Sequence, residues 1–255
     1  MKSYEFQDSF STLINFKKSL SFINIYSRWA SDRKEMIRGF SQEWDHAYKD
    51  NKLMSVCPWS DVVSYVLRYV YSKKGIRVLE IGCGSGANIP FFLSLGYKYY
   101  GIDGSSTIVN RLKRKFPQIK KNLVIGDLTK HIQFNERFDL IVDRSALTFN
   151  TTEGIKQSLE LVYEKMKSNA KYIGIDWIST DHPDYLKGTR VDKYTKTSYK
   201  VGQFVNLGVV HFSNKSHLLN LFKKFKILVL EHKVVTRKIP EEKKFTEWNF
   251  VAMKI

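Results

Sequence analysis

The residues best suited to chemistry in this chain lie in the run from Glu80 to Gly86, Glu-Ile-Gly-Cys-Gly-Ser-Gly. The apolar residues Val78, Leu79 and Ile81 at its start predict a buried strand that runs into a turn and then a helix. Glycines at every second position let the backbone turn sharply and approach a ligand, because no Cβ atom is in the way. Similar glycine runs hold pyrophosphate groups. The Glu80 carboxylate would repel a pyrophosphate, so this run favours a cationic amine or sulfonium ligand.

Two more acidic residues follow predicted strands. Residues 97–104 predict a second strand that ends in Asp103, and residues 123–125 predict a third that ends in Gly126-Asp127-Leu128. A carboxylate at Asp103 can accept hydrogen bonds from both hydroxyls of a ribose. The carboxylate of Asp127, with a backbone amide beside it, can contact an adenine edge. Because the carboxyl ends of parallel strands meet at one edge of a sheet, we expect these groups to share one site.

These three motifs together resemble the class I S-adenosylmethionine-dependent methyltransferases, over roughly residues 75–178. The resemblance implies S-adenosylmethionine as the cofactor, with the methionine side at the glycine run, the ribose at Asp103 and the adenine at Asp127. The residues expected to bind the cofactor are Glu80, Gly82, Cys83, Gly84, Gly86, Asp103, Gly104, Ser105, Gly126, Asp127, Leu128, Asp143 and Trp59.

A fourth predicted strand ends in Asp143-Arg144-Ser145-Ala146. In the family that this chain resembles, the end of the fourth strand faces the transferred methyl group. Enzymes that methylate amino groups of nucleic acids typically carry Asn/Asp-Pro-Pro-aromatic there. The different residues at this point argue against methylation of a base nitrogen.

Methyl transfer is an in-line displacement, for which the protein must hold the nucleophile about 3 Å from the methyl carbon. A hydroxyl acceptor must also lose its proton, and histidine is the usual base. The expected catalytic residues are His211, Asp143 and Arg144, with Asp176 as the orienting group. His182 is a further candidate base. His211 can instead be a structural histidine in an apolar stretch, His182 can be a surface residue, and Asp143 can hold Arg144 or the methionine amine.

The Arg144 guanidinium favours an anionic acceptor such as a carboxylate, phosphate or phosphoramidate, which would need no base. Three segments resemble uncharacterised bacterial methyltransferases associated with surface-polysaccharide biosynthesis: residues 58–60, 143–148 and 174–177. That resemblance implies an acceptor that is a sugar or a sugar substituent, including capsular phosphoramidates. The residues expected to bind the acceptor are Arg144, Trp177, His182, Arg190 and His211.

The elements that position these residues predict a Rossmann-like, doubly wound α/β fold. The resemblance to the methyltransferases implies seven strands in the order 3-2-1-4-5-7-6, with the last strand of the chain antiparallel. Residues 1–74 are expected to form a helical lead-in over the cofactor, since apolar residues recur at helical spacing in residues 1–30. Residues 75–255 form the expected methyltransferase domain, and the long polar insertion 179–212 forms an acceptor lid.

The boundaries of the later elements follow from the same periodicity. Helices are expected at 62–71, 87–95, 106–116, 152–168 and 213–225, and the sixth and seventh strands at 227–235 and 248–255. Residues 237–245 are expected to form the hairpin turn between those two strands.

Composition narrows the class of protein. The chain has 255 residues, a net charge of +17 and 43% hydrophobic residues. The lysines are scattered, which is typical of a solvated surface, so we do not expect nucleic acid as the acceptor. No run approaches the roughly 18 apolar residues that span a bilayer. We expect a cytoplasmic monomer or homodimer without a membrane span, a metal or a disulfide between Cys57 and Cys83.

Two alternative functions remain open at this point. The basic surface would suit an RNA or protein methyltransferase, for which a steep salt dependence of RNA binding is expected. A non-catalytic module that binds the cofactor would also explain the fold, although the glycine run and Asp103 have no structural purpose at that spacing. Oxidoreduction with NAD is disfavoured by Glu80.

Overall fold

The architecture of this protein rests on one large sheet. The computed structural model describes residues 39–50, 54–70 and 75–255, and the helix predicted in residues 1–30 lies outside them. The strands of the large sheet are β1 (Arg77–Ile81), β2 (Lys98–Asp103), β3 (Leu123–Ile125), β4 (Phe138–Arg144), β5 (Met166–Ile178), β9 (Phe225–Arg237) and β10 (Lys243–Lys254). A second, three-stranded sheet contains β6 (Thr189–Arg190), β7 (Thr195–Thr197) and β8 (Val210–His211).

The order of the large sheet is β3-β2-β1-β4-β5-β10-β9. Strands β1 to β5 pair in parallel, whereas β10 pairs antiparallel with both β5 and β9. Since β9 and β10 are the sixth and seventh predicted strands, the predicted order and the antiparallel last strand are confirmed. The small sheet lies within the segment predicted as a lid.

Helices cover both faces of the large sheet, as a doubly wound fold requires. They are α1 (Gln42–Lys49), α2 (Ser60–Tyr69), α3 (Ile89–Ser94), α4 (Ser106–Lys115), α5 (Thr152–Lys165) and α6 (Lys215–Leu221). One apolar cluster joins α2, α3 and α4 to the sheet through residues such as Val66, Phe92 and Leu112. A second cluster joins α5 and α6 to the other face. Among the described residues, none of the helices combines the length and the apolar character that crossing a bilayer requires.

The turn after β1 has the sharp backbone that its glycines predict. Gly82 and Gly84 have φ values of 64° and 49°, a region that side chains with a Cβ rarely adopt. The Gly82 amide donates a hydrogen bond to the Ile102 carbonyl at 2.8 Å. That bond ties the turn to the end of β2.

Several element boundaries differ from the sequence prediction; for example, the helix predicted at 213–225 spans Lys215–Leu221. The helix predicted to reach residue 168 ends at Lys165, and β5 begins at Met166. The hairpin of β9 and β10 is longer than predicted. Its register begins where Phe225 lies opposite Lys254 and continues, beyond the end of β5, to the point where Arg237 lies opposite Lys243. Register pairs such as Phe245 with Val235 and Lys244 with Thr236 extend these strands, and their mixture of polar and apolar residues gives no alternation that marks the strand ends.

The pairing of β5 with β10 depends on a glycine. Gly174 lies opposite Phe250 in the register, and a Cβ atom on Gly174 would lie 2.3 Å from the Phe250 ring. We predict that Gly174→Ala lowers the free energy of unfolding by about 1–3 kcal/mol through overpacking. Adding Phe250→Leu should remove the clash, so the loss in the double variant should be smaller than the sum of the two single losses. Urea unfolding of the four proteins tests this, and additive losses would contradict it.

Candidate active site

A cavity of about 440 Å³ opens at the carboxyl ends of the parallel strands. Its volume lies within the range of about 300–1,000 Å³ that is usual for small-molecule sites. Residues from the strand ends, the lead-in and the lid line it. The polar residues among them are Ser41, Tyr48, Ser55, Glu80, Ser85, Asn88, Asp103, Asp127, Arg144, Ser145, Asn150, Asp176, Gln203 and Glu247.

Asp103 ends β2 and lies at the cavity wall with 6% of its surface exposed. The Gly84 amide donates to Oδ2 and the Ser105 amide donates to Oδ1, both at 2.9 Å. Burial raises the pKa of this carboxyl above its ordinary value, and the two amide donors act in the opposite direction by favouring the charged form. Each oxygen retains a further lone pair for a ligand hydroxyl.

Glu80 is held at the end of β1 by two side chains. The Asn88 amide donates to Oε1 at 2.7 Å and the Tyr99 hydroxyl donates to Oε2 at 2.6 Å. Burial raises the pKa of Glu80 to about 7, so a cationic ligand beside it would shift the carboxyl towards its charged form. Asn88 also accepts a hydrogen bond from the Trp59 amide at 3.1 Å, which links the glycine turn to the start of α2.

Asp127 follows β3 and is partly exposed. The Thr129 amide and hydroxyl donate to Oδ1 at 3.0 and 2.7 Å, and Lys130 lies 3.0 Å from Oδ2. Burial acts to raise the pKa of Asp127, but the Thr129 hydrogen bonds and Lys130 outweigh it and lower the pKa. The backbone at Gly39 and the ring of Phe40 lie against this end of the cavity, where a Cβ on either Gly39 or Gly104 would clash.

Arg144 lies at the end of β4 in an ion pair. Its guanidinium carbon lies 3.3 Å from the centroid of the Trp59 ring, and its Nη2 lies 2.9 Å from Oδ2 of Asp176. Asp176 has a φ of 57°, and its amide donates to the Asn249 side chain at 2.9 Å. A left-handed residue that is not glycine costs about 1–3 kcal/mol and often marks a functional site. Trp59, Arg144 and Asp176 all line the cavity.

Glu247, on β10, lines the cavity with Asp176, and the two carboxyl groups interact electrostatically. Burial and the neighbouring Asp176 carboxylate raise the pKa of Glu247 to about 7. Lys233 lies 3.7 Å from Oδ1 of Asp176 and 2.6 Å from Asp61. This end of the cavity therefore has a carboxyl pair flanked by two cations, Arg144 and Lys233.

Asp143 does not line the cavity, although its neighbour Arg144 does. Its side chain is fully buried on the other side of the strand, where the Tyr172 hydroxyl and the Trp177 indole nitrogen donate to Oδ2 at 2.8 and 2.9 Å. The amides of Ala146 and Leu147 donate to Oδ1. Trp177, predicted to bind the acceptor, is also fully buried and engaged in this network.

His211 also lies away from the cavity wall. It is fully buried, with Nδ1 3.0 Å from the Thr195 hydroxyl and Nε2 3.1 Å from Nε2 of His217. Burial, and then the nearby His217, lower the pKa of His211 to about 3. These contacts are those of a structural histidine, which was the alternative to a catalytic role for His211.

The lid reaches the cavity through residues that the sequence did not single out. His182 is 3% exposed and accepts a hydrogen bond from the Asp184 amide, whereas Arg190 is exposed on β6. Neither lines the cavity. The lid residues that do are Gln203, Phe204 and Leu207. Residues 179–212 show no helical or strand periodicity that would distinguish these three.

Besides Asp143, two residues predicted to bind the cofactor, Gly86 and Ser105, have structural contacts instead. Gly86 does not line the cavity, and a Cβ on it would lie 2.6 Å from Leu112. Ser105 is the N-cap of α4, where its hydroxyl accepts from the Ile108 amide and donates to Asp45. The remaining residues predicted for the cofactor all line the cavity: Glu80, Gly82, Cys83, Gly84, Asp103, Gly104, Gly126, Asp127, Leu128 and Trp59.

Sequence reasoning missed Asn88 and Glu247. Asn88 lies two residues after the glycine run, and a polar side chain at a helix N-terminus carries no distinctive signal. Glu247 alternates with apolar residues on the last strand, a pattern that is equally typical of a solvent-facing position. Within the described residues, no three His, Cys, Asp or Glu side chains are placed to hold a metal ion.

The buried Asp143 network predicts a dependence of stability on pH. Burial raises the pKa of Asp143 to about 6, whereas an unfolded aspartate has a pKa of about 3.9. Between these two pKa values the folded state therefore binds more protons than the unfolded state. The stabilisation that results from protonated Asp143 is fully present below about pH 4 and is lost as the pH rises to about 6. Asp143→Asn removes this titration and leaves a donor without an acceptor, at a cost of about 1–3 kcal/mol.

Urea unfolding at several pH values between 4 and 7 checks this prediction. We expect the variant to be less stable at each pH and to lose less stability than the wild type between pH 4 and 6. Asp139→Asn on the same strand is the matched control, because Asp139 pairs with the partly exposed Lys167 and should cost less than about 1 kcal/mol. An unchanged slope in Asp143→Asn would contradict the assignment.

The comparisons with known proteins agree with this geometry. Residues 78–179 match the model of a family described as a methyltransferase domain. An uncharacterized methyltransferase from Geobacillus sp. (strain WCH70) is 24% identical over 166 residues, which are 65% of this chain and 72% of that protein.

Solved structures share the fold. A methyltransferase from Methanosarcina mazei, described as SAM-dependent, superimposes with a TM-score of 0.58 at 16% identity, over 78% of this chain and 99% of that one. A Clostridium acetobutylicum protein described as an S-adenosylmethionine-dependent methyltransferase gives a TM-score of 0.55 at 14% identity, over 92% and 98% of the two chains. With the strand order, these findings make the chain similar to S-adenosylmethionine-dependent methyltransferases in residues 78–179 and in its fold.

Proposed function

We propose that this enzyme methylates an oxygen atom of a small acceptor, a sugar or a sugar substituent. One half of the cavity binds the cofactor and the other half binds the acceptor. The carrying observation is the distribution of charged side chains along the sheet edge. Glu80 and Asp103 lie at the ends of β1 and β2 and Asp127 follows β3, whereas Arg144, Asp176 and Glu247 lie on β4, β5 and β10. Because neighbouring strands lie about 4.8 Å apart, the two groups occupy opposite sides of one cavity.

The first half of the cavity has the chemistry that the cofactor requires. The cofactor's amine is a cation and its ribose presents hydroxyls, and both groups are matched by carboxylates. Gly82, Gly84, Gly104 and Gly126 line the same wall, where the lack of Cβ atoms lets a ligand approach the backbone. We propose Glu80 for the methionine amine, Asp103 for the ribose and Asp127 with Leu128 for the adenine.

When bound, S-adenosylmethionine supplies an electrophilic methyl group. The protein's own residues bind, orient and exclude water. Asp103 is pre-oriented by the Gly84 and Ser105 amides, so its carboxylate needs no rearrangement on binding. Trp59, Phe149 and the lid residue Phe204 line the cavity with apolar surface, which removes water from the point of transfer.

Two kinds of acceptor remain within this proposal. A glycosyl hydroxyl offers a neutral oxygen, whereas a phosphate or phosphoramidate offers an anionic one. The anionic choice depends on Arg144, but that guanidinium already pairs with Asp176 and stacks on Trp59. The glycosyl choice is therefore better supported. The resemblance to enzymes of surface-polysaccharide biosynthesis supports a sugar acceptor as well.

A nucleic-acid acceptor is the second candidate, because the chain has a net charge of +17. A protein that neutralises phosphates with lysine and arginine loses affinity steeply as salt is added. The cavity itself favours the small acceptor, since Arg144 and Lys233 at its acceptor end are both paired with carboxylates.

The cofactor assignment predicts the effect of Asp103→Asn. An amide at this position loses the charge-assisted hydrogen bonds to the ribose, which are each worth about 1.5–3 kcal/mol. We expect at least a tenfold loss of affinity for S-adenosylmethionine and for its demethylated product, measured by calorimetric titration. Asp139→Asn should bind as the wild type does, and NAD should not bind to any of the three proteins. Unchanged affinity in Asp103→Asn would remove this residue from the site.

The acceptor assignment is tested by incubating the enzyme with S-adenosylmethionine and panels of nucleotide-sugars, phosphoramidates and RNA. Release of S-adenosylhomocysteine, with mass spectrometry of the acceptor, identifies the product. We expect methylation of an oxygen in the nucleotide-sugar panel. Product from RNA alone, weakened steeply by salt, would favour the nucleic-acid alternative instead.

A further inference from the structure

The carboxyl group of Glu247 lines the cavity, but the residues assigned to the cofactor do not include it. It lies on β10, opposite Ile178 at the end of β5, on the side of the cavity away from β1, β2 and β3. A carboxyl there is too far along the sheet edge to serve the methionine or the ribose, because four inter-strand steps of about 4.8 Å separate β10 from β2.

The groups around Glu247 come from four other elements. Asp176 on β5 lines the cavity with it and interacts with it electrostatically, and Arg144 on β4 pairs with Asp176 at 2.9 Å. Lys233 on β9 lies 3.7 Å from Asp176 and 2.6 Å from Asp61 on α2. Both cations are thus held by aspartates, which leaves Glu247 as the carboxyl in this group without a cation within ion-pair distance among the described residues.

This arrangement is suited to holding one proton between two carboxyls. Two neighbouring carboxylates repel each other, so one of the pair keeps its proton to a higher pH. Arg144 and Lys233 both lie within ion-pair distance of Asp176, whereas Glu247 has no such cation partner among the described residues, so the exchangeable proton belongs to Glu247. Consistent with this geometry, burial and the Asp176 carboxylate raise the pKa of Glu247 to about 7, which suits a general base that works near neutral pH.

We propose that Glu247 is the base that takes the proton of the acceptor hydroxyl, with Asp176 as its positioning residue, so that the acceptor is a neutral hydroxyl compound. The inference rests on the proposed methyl transfer to oxygen. In the step, the acceptor oxygen forms a bond to the methyl carbon and the sulfur–methyl bond breaks with its electron pair returning to sulfur. The O–H proton passes to the Glu247 carboxylate.

The charge balance supports a neutral acceptor over an anionic one. When all are ionised, Arg144 and Lys233 supply two positive charges against three negative charges on Asp61, Asp176 and Glu247. An anionic acceptor would meet a surplus of negative charge in a partly buried site, where charges are weakly screened. A hydroxyl meets no such repulsion and donates its proton to Glu247.

The test uses two cofactor analogues and needs no acceptor. S-adenosylhomocysteine lacks the transferred methyl group, whereas sinefungin carries an amine at that point. If Glu247 faces the point of transfer, its carboxylate attracts the sinefungin amine. We expect the ratio of sinefungin affinity to S-adenosylhomocysteine affinity, measured by calorimetry from pH 5.5 to 8.5, to rise several-fold as the pH passes through about 7. Glu80 faces the part common to both ligands, so its titration cancels in the ratio.

Variants test whether Glu247 and Asp176 cause the pH dependence of the affinity ratio. Glu247→Gln should flatten the ratio while leaving the affinity for S-adenosylhomocysteine within about twofold. Glu242→Gln, in the exposed turn before β10 where Glu242 pairs with Lys238, is the matched control and should behave as the wild type. Asp176→Asn should move the midpoint of the rise to lower pH, which a purely structural role would not do.

The outcomes separate this inference from the proposed function. A ratio that is flat with pH in the wild type, and unchanged in Glu247→Gln, would overturn the assignment of Glu247 while the binding of S-adenosylhomocysteine still supports a methyltransferase. Loss of all binding in the wild type would instead refute the cofactor site. Because the wild-type profile alone is decisive, the test stands even if a variant does not fold.

Discussion

The parallel pairing of β1 with β2 and β4 is the constraint on which the site depends. It brings Ile81 beside Ile102 and Asp143, so the residues that follow these strands meet at one edge. A parallel sheet needs a crossover between strands, and the crossovers after β1, β2 and β4 contain the helices α3, α4 and α5. The carboxylates are therefore placed by backbone hydrogen bonds that lie far from any ligand.

Burial of these carboxylates is possible because each has donors from the protein. Asp103 accepts from two backbone amides, Glu80 from Asn88 and Tyr99, and Asp143 from four donors. A buried charge without such partners would neutralise or destabilise the fold. The buried carboxylates differ in whether a ligand in the cavity can reach them. Glu80 and Asp103 reach the cavity wall, whereas Asp143 is turned towards Tyr172 and stabilises the end of β4.

Charge pairing decides what the second half of the cavity can bind. Arg144 alone would select anions, but its pairing with Asp176 and its stacking on Trp59 use that charge internally. Since Lys233 is paired with Asp61, the carboxyl of Glu247 determines the character of this region. The same ion pairs hold Asp176 in a left-handed backbone conformation that it would not adopt alone.

The glycine turn and the acidic strand ends followed from the sequence, because glycine spacing and hydrophobic periodicity are local properties of the chain, and the strand order followed from the family that these motifs resemble. Arg144 and Asp176 line the same cavity as Glu80 and Asp103, because parallel strands end at one edge of the sheet. The tertiary structure decided which face each side chain takes: Asp143 and Trp177 point into the core, and His211 pairs with His217 away from the cavity. It also brought Glu247 beside Asp176, because the antiparallel return of β10 joins residues about 70 positions apart, a contact that no local pattern encodes.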